Sequence, residues 1–309
     1  MTGMLHGHTG PFHDGELALQ RATGEREIGA RNGRIIADHV IPAAAGFIGS
    51  LPLAVAATLD GDGRPWCSAL VGPPGTFTVQ DLTRLTIGRA AGGAGDPLWA
   101  NLAGDPRIGL LFIEPATRRR YRVNGRVADS SADPLVVEVA EALPNCPKYI
   151  ARRHLAPDDR VGTAGPGATG PVASDGLGDA DRRLIAAADL CFVASANPAG
   201  HLDASHRGGR PGFVEWRDGR LWVPDYPGNS MFNTLGNLRV HPRAGLLFVD
   251  FAAAGALQLT GTTSIDLAAS AAAPATGGTG RAWTFSPTAR RLAPLPLRDE
   301  FLDFSPFNP

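Results

Sequence analysis

The sequence predicts a mainly β chain with short helices (an α+β class), built as two copies of one small barrel-like or sandwich-like unit. Three observations carry that expectation. Short apolar, β-branched runs alternate with Gly, Pro and Asp turn signals, a pattern of barrels and sandwiches rather than of a doubly wound sheet. A stretch in the first half recurs in the second, in register with the runs that flank it. Between the copies lies a segment dominated by Gly, Ala, Pro and Asp. The length, 309 residues, also suits two domains at about 150 residues each.

In chain order, Met1–Gly15 is rich in Gly and His without any period, and is expected to be a mobile terminus rather than a metal site of His6, His8 and His13. Glu16–Val40 has helical spacing broken by glycines, which predicts one or two short helices wrapping the first domain. Leu53–Leu59, Trp66–Val71, Thr76–Val79, Leu85–Ile87 and Ile108–Glu114 read as strands. Tyr121–Ala128 alternates like a strand with one solvent face, and the valines of Asp133–Glu141 favour a further strand over a helix. Pro147, with Asn145 or Cys146 as cap, predicts a short helix over Lys148–Leu155. Pro157–Gly178 is the expected linker, Asp179–Asp189 a capped helix and Leu190–Ser195 the strand entering the second domain. The domains are thus expected at 16–155 and 179–309, with 156–178 between them.

The repeat is the sharpest signal. Asn101–Glu114 matches Asn237–Asp250, including PR-x-GLLF, at an offset of 136 residues, and Gly125 pairs with Gly261 at the same offset. Ala54–Thr58 matches Cys191–Ser195, and Ser68 matches Ser205, one residue further apart. The copies part company in their polar loops. Ser205-His206-Arg207 and Asp225-Tyr226-Pro227-Gly228-Asn229 stand where the first copy has Ser68-Ala69-Leu70 and Arg89-Ala90-Ala91-Gly92-Gly93. This asymmetry predicts one dominant site per chain, carried mainly by Asp203–Asn233 and suited to a planar anion. Arg107 and Arg243 occur in both copies and read as structural.

Bulk properties exclude several classes. A net charge of −1 gives no general attraction to nucleic acid or an acidic membrane. Cys67, Cys146 and Cys191 are isolated and odd in number, arguing against a disulfide framework or zinc site and for a reducing, cytoplasmic setting. No signal peptide or membrane-length apolar run is evident. Trp99, Trp216, Trp222 and Trp283 read as core or rim residues. Lys148 is the one lysine in a chain that otherwise uses arginine, which marks it for a ligand contact or a buried ion pair.

Pro144–Ile150 (PNCPKYI), Ser205–Phe213 (SHRGGRPGF), Pro224–Asn229 (PDYPGN), Met231–Leu238 and Pro242–Phe248, with the closing Leu297–Pro309, resemble the tandem-barrel members of the pyridoxamine 5′-phosphate oxidase-like, FMN-binding split-barrel family. The resemblance covers nearly the whole chain. It implies two tandem six-stranded split β-barrels with FMN at a barrel–barrel interface, within one chain or in a homodimer. The family's substrate-binding Arg-x-His pair is not recognisable, so the resemblance implies an FMN-dependent oxidoreductase of unknown substrate rather than the oxidase itself.

Under that resemblance Ser205, His206 and Arg207 hold the FMN phosphate and ring edge. Asp225, Tyr226, Asn229, Ser230, Met231 and Asn233 complete the contacts, and Lys148 reaches in from the first barrel. Arg207 supplies a guanidinium fork, and a helix starting near Ser230–Met231, capped by Asn229, would offer amides to an anion. His206 is the candidate catalytic group, polarising the ring or exchanging protons, with a purely orienting hydrogen bond as the alternative. No dinucleotide-binding Gly-rich turn is evident, so NAD(P)H would bind transiently or act through a partner reductase. A flavin carrier without turnover, or the same fold holding deazaflavin or haem, are the competing readings.

Overall fold

The computed structural model describes residues 10–93, 95–158, 172–173, 177–198, 200–269 and 274–309. Three short helices precede the first sheet: α1 (Asp14–Ala22), α2 (Arg26–Asn32) and α3 (Pro42–Ser50). The first unit then runs through β1 (Leu53–Leu59), β2 (Pro65–Val71), β3 (Phe77–Asp81), β4 (Arg84–Ile87), α4 (Pro97–Gly104), β5 (Arg107–Glu114), β6 (Arg119–Val127) and β7 (Leu135–Asn145). A crossover follows, with β8 (Arg152–Pro157), the two-residue β9 (Val172–Ala173) and α5 (Asp179–Ala187). The second unit comprises β10 (Leu190–Ala196), β11 (Leu202–Gly208), β12 (Glu215–Arg217), β13 (Arg220–Pro224), α6 (Asn233–Val240), β14 (Arg243–Asp250), β15 (Gly255–Asp266) and β16 (Ala282–Pro294), and β17 (Leu297–Asp303) closes the chain.

The sheet orders are β2-β1-β5-β6-β7-β4-β3 and β11-β10-β14-β15-β16-β13-β12, the same path twice. The tandem split-barrel architecture is therefore present, and the repeat read in the sequence is a repeat of fold. Each path has seven strands rather than six. The chain breaks after β2 at Pro73-Pro74-Gly75 and after β11 at Gly209–Gly212, then pairs again as the separate strands β3 and β12. Gly125 and Gly261 mark the same irregularity in both units, a register shift where β6 meets β7 and β15 meets β16. A Cβ there would run into the carbonyl of Glu138 or Ser286.

Strands β1 and β10 are buried along their whole length, which explains why they read as unbroken apolar runs. Ala54 and Ala56 point into the first barrel, whereas Leu53, Val55 and Ala57 join a third apolar cluster with Phe192, Ala194 and Leu247 between the barrels. The glycine of PR-x-GLLF belongs to this contact. A Cβ on Gly109 would sit 2.7 Å from the Leu202 carbonyl oxygen, and one on Gly245 would sit 2.7 Å from that of Pro65. The repeated arginines brace the same interface. Arg107 Nη1 donates to the Gly200 carbonyl at 3.1 Å, and Arg243 Nη1 to the Asp62 carbonyl at 2.9 Å, each reaching a turn of the other barrel.

Several local expectations change. Residues 10–15 are not a loose end: His13 caps α1, its Nδ1 accepting from the Gly15 N–H at 3.1 Å and its Nε2 lying 3.0 Å from Asn237 Oδ1. His6 and His8 lie outside the described residues. Helix α1 packs on α6 of the second unit, while its Leu17 meets the cluster of Phe12, Leu143 and Met231, so it spans both units. Most of the Pro157–Gly178 linker also lies outside the described residues. No helix forms over Lys148–Leu155. Tyr149 takes a left-handed φ of 65°, and β8 instead pairs antiparallel with β17, a partner distant in sequence. The second-unit helix begins at Asn233, later than Ser230–Met231, because Ser230 (φ 60°) and Phe232 (φ 62°) are both left-handed. No helix among the described residues is long and apolar enough to cross a membrane.

Candidate functional site between the barrels

A cleft of about 930 Å³ opens where the ends of β6 and β7 and the 145–149 loop of the first unit face β11, the 224–232 loop and the start of α6. Ser205, His206, Arg207, Asp225 and Tyr226 line it, as do Asn229, Ser230, Asn233 and Lys148. Met231 does not: it is fully buried and packs with Phe12 and Leu143, while its carbonyl accepts from Gln20 Nε2 at 3.3 Å. Nine of the ten expected site residues thus meet in one place.

The polar loop is held from behind by α2. Asn32 Nδ2 donates to the Asn229 carbonyl at 2.8 Å, and Ser230 Oγ donates to Glu25 Oε2 at 2.5 Å. Asn229 Oδ1 accepts from the Met231 N–H at 3.1 Å, which turns the chain locally instead of capping a helix. Asp225 bridges two guanidiniums, Arg281 Nε at 2.9 Å and Arg207 Nη1 at 3.4 Å, and Arg281 also reaches Glu25 at 2.5 Å. Tyr226 and Tyr149 pack with ring centroids 4.9 Å apart and planes tilted by 41°, and the Tyr149 hydroxyl donates to the Pro227 carbonyl at 2.9 Å. Burial, with Tyr149 adding to it, pushes the Tyr226 phenol up to about 12. Lys148 extends its ammonium over the Phe307 ring, 5.4 Å from the centroid, so its visible partner is an aromatic face and not a carboxylate.

The lining carries four arginines (Arg120, Arg122, Arg207, Arg281) and Lys148 against a single carboxylate, Asp225. Arg122 was legible only as a member of an alternating strand expected over Tyr121–Ala128, and Arg120 lay just outside it. Their face of β6, expected to meet solvent, meets the second barrel instead. Arg122 pairs with Asp203 at 2.7 Å and donates to Asn233 Oδ1 at 3.2 Å. Among the described residues no carboxylate pairs with Arg120, whose Nη2 donates to the Cys146 carbonyl. Burial, and then the charges of Arg122 and Arg207, pull its guanidinium down to about 10 even though Cys146 works the other way. Among the described residues, the Nε atoms of Arg120, Arg122 and Arg207 and both ring nitrogens of His206 are buried without a hydrogen-bond partner. Orphaned buried donors of this kind are costly and point to an acceptor supplied from outside the chain.

His206 is 6% exposed, edge-on to Phe192 at 5.6 Å. Burial, and then the charges of Arg120, Arg153 and Arg207, hold its imidazole well below the usual range. It is therefore a neutral ring at neutral pH, and the expectation of a group titrating near neutrality does not hold. Gly208 lets the chain pass this point, since a Cβ there would meet the Tyr149 carbonyl.

The equivalent place in the first unit is filled. Asp96 caps α4 through the Leu98 N–H at 2.9 Å and accepts from Ser68 Oγ at 2.6 Å and Gln258 Nε2 at 3.1 Å. Arg291, 2% exposed, lies beside it, and the remaining space is only about 310 Å³. At the corresponding offset α6 has Phe232, which makes no side-chain cap, and Asn233, Thr234 and Leu235 of its first turn line the open cleft. A helix start without a cap beside several guanidiniums is an anion-binding arrangement.

Among solved structures, the chain is similar to a putative pyridoxamine 5′-phosphate oxidase from Lactobacillus delbrueckii, at 12% identity and a TM-score of 0.32 over 40% of this chain and 99% of that one. It is also similar to HupZ of Group A Streptococcus (18% identity, TM-score 0.27, 42% and 98%) and to a NimC/NimA family protein of Clostridium acetobutylicum (12%, 0.30, 39% and 90%). Comparison with curated protein sequences gives no match. The sequence profile described as pyridoxamine 5′-phosphate oxidase matches residues 40–160 and again 177–276, once per barrel. By that double match the chain belongs to the pyridoxamine 5′-phosphate oxidase family, as a tandem two-barrel member.

Proposed function

We propose that the chain is an FMN-binding flavoprotein and an FMN-dependent oxidoreductase, with the flavin held in the cleft between its two barrels. One observation carries the reading above the others: a cluster of buried guanidinium and imidazole nitrogens, with too few carboxylates to satisfy it, faces an open cleft at an uncapped helix start. A phosphate of about −2 charge and a ring edge rich in acceptors complement that set.

In this reading Arg207, Ser205 and the first-turn amides of α6 hold the phosphate, with Arg281 adding charge. Asp225 serves as a positioning residue, its carboxylate holding the mutually repelling Arg207 and Arg281 side by side at the cleft wall. Arg120, Lys148 and Tyr149 close the site from the first barrel. The neutral His206 offers one hydrogen bond at the ring edge, donor or acceptor according to tautomer, and it does not deliver a proton as a cation. When bound, FMN supplies hydride acceptance and re-oxidation, and the chain's task is to orient the ring and limit its exposure.

Anaerobic mixing of the flavin-loaded protein with NADH and with NADPH tests turnover. Bleaching of the flavin band by either donor supports an oxidoreductase. A band that persists with both, yet bleaches with dithionite, favours a carrier.

A further inference from the structure

A second cavity lies on the far side of the Arg122–Asp203 pair, between α1, β6, β7, the β10–β11 turn and α6. It has the opposite character to the nucleotide cleft. Glu16, Glu141 and Asp203 line it, together with Asn124, Asn233 and His201, and among the described residues no arginine or lysine does. Its open volume is about 700 Å³. Asn233 is common to both cavities, with Oδ1 accepting from Arg122 on one side and Nδ2 donating to Glu16 at 2.6 Å on the other.

Asn124 supplies the independent sign of a ligand. It is 5% exposed, and its Nδ2 is engaged by Glu141 Oε2 at 3.2 Å, which leaves Oδ1 buried with no donor among the described residues to accept from. It sits two residues beyond Arg122 on the same face of β6, so the face that presents cations to one cavity presents an unsatisfied acceptor to the other. Glu16 is equally short of cations. It accepts from the His13 N–H at 2.8 Å and from Asn233, and among the described residues its one basic neighbour is the His13 imidazole at 3.6 Å. Glu141 has the half-exposed His201 at 2.9 Å. Among the described residues no three His, Cys, Asp or Glu side chains converge as a metal ion requires. This set of acceptors suits a group that brings several N–H bonds and one positive charge.

We propose that this cavity is a binding site for a small organic cation, a primary ammonium on a short alkyl chain, held by Asn124 Oδ1 with the Glu16 and Glu141 carboxylates. The site is separate from the nucleotide cleft, and the inference does not depend on which cofactor that cleft takes. Glu16 also makes the site responsive to pH. Burial, countered by the His13 and Asn233 bonds and reinforced by Glu141 and Asp203, pushes its carboxyl up to about 8. The groups facing it are His13 at the α1 cap, Glu141 of β7, Asp203 of β11 and Asn233 of α6, with Arg122 beyond. An arriving ammonium favours the ionised form, so binding releases a proton and tightens as pH rises toward that value. His201, held charged to higher pH by its bond to Glu141, loses its competing charge in the same direction.

The test is an NMR titration of the whole chain with n-butylamine and, as a neutral isostere, n-butanol. Saturable shifts of the Asn124 side-chain amide with the amine alone, tightening several-fold from about pH 6 to about pH 8, are expected. Asn124→Leu and Glu141→Gln should each weaken the amine about 10-fold. Equal response to amine and alcohol, or to neither, overturns the proposal without needing any variant to fold. A several-fold tightening of amine binding in Arg207→Ala also overturns it, because an ammonium relieved of a neighbouring guanidinium would then sit in the nucleotide cleft.

Discussion

Arg122 of the first barrel and Asp203 of the second form an ion pair of 2.7 Å, with side chains 7% and 3% exposed, in the wall between the two cavities. Thr234 Oγ1 donates to the other Asp203 oxygen at 2.8 Å and lies 2.9 Å from Ser205 Oγ, from which it can accept, so the pair is tied to the start of α6. It thereby couples the packing of the barrels to the shape of the cleft.

Removing one partner of such a pair strands a buried charge. Arg122→Ala is expected to lower stability by about 3–5 kcal/mol, whereas replacing both residues by apolar ones of similar volume should recover much of that loss. Urea unfolding of the two single variants and the double variant measures this directly. Additive losses would mean that the two side chains act independently.

The repeated glycine makes a steric prediction. Gly109→Ala and Gly245→Ala each place a methyl 2.7 Å from a carbonyl oxygen of the opposite barrel, and each is expected to cost about 1–3 kcal/mol. Gly46→Ala, in α3 with nothing within 4 Å, should be neutral or stabilising by about 0.5–1 kcal/mol. Thermal melts of the three variants against the parent chain settle the comparison.

Glu16 sets a pH dependence whose sign follows from its direction of shift. Its folded-state carboxyl is raised from 4.5 to about 8, so the folded chain holds a proton that the unfolded chain releases. The stability this confers is fully present below the unfolded value and is lost progressively as pH rises to about 8. Glu16→Gln should flatten that decline and be the more stable form at alkaline pH. Urea midpoints of both proteins across this window check it; parallel curves would show that Glu16 does not carry the linkage.

Much of the frame was legible because it rests on local signals. The apolar runs of β1 and β10, the turns that follow them and the PR-x-GLLF repeat appear where expected, and Ser205-His206-Arg207 and Asp225–Asn229 do meet in one cleft. What escaped depends on partners distant in the chain. Alternation on β6 shows that Arg120, Arg122 and Asn124 share a face, yet it cannot tell solvent from a second barrel. Arg281 enters only because Asp225 and Glu25 converge on it, and neither is near it in sequence. The Lys148–Leu155 segment has a good helical start, but pairing with β17 and the left-handed Tyr149 outweigh that weak local preference.

Arg207 and Arg120 are expected to differ in their effects on flavin binding. Arg207→Ala should weaken FMN by about 1.5–3 kcal/mol, the scale of a hydrogen bond to a charged group. It should weaken riboflavin, which has no phosphate, much less. Arg120→Ala, acting from the first barrel, should affect both ligands to a similar degree if it faces the ring. Fluorescence titrations with the two flavins give the four affinities.

The most direct test of the central claim is the absorption spectrum of the freshly purified chain, or of the chain after incubation with FMN and desalting, with the released cofactor identified by mass. A retained flavin band and a released mass equal to FMN are predicted. A colourless protein that takes up no FMN would contradict the assignment of the inter-barrel cleft.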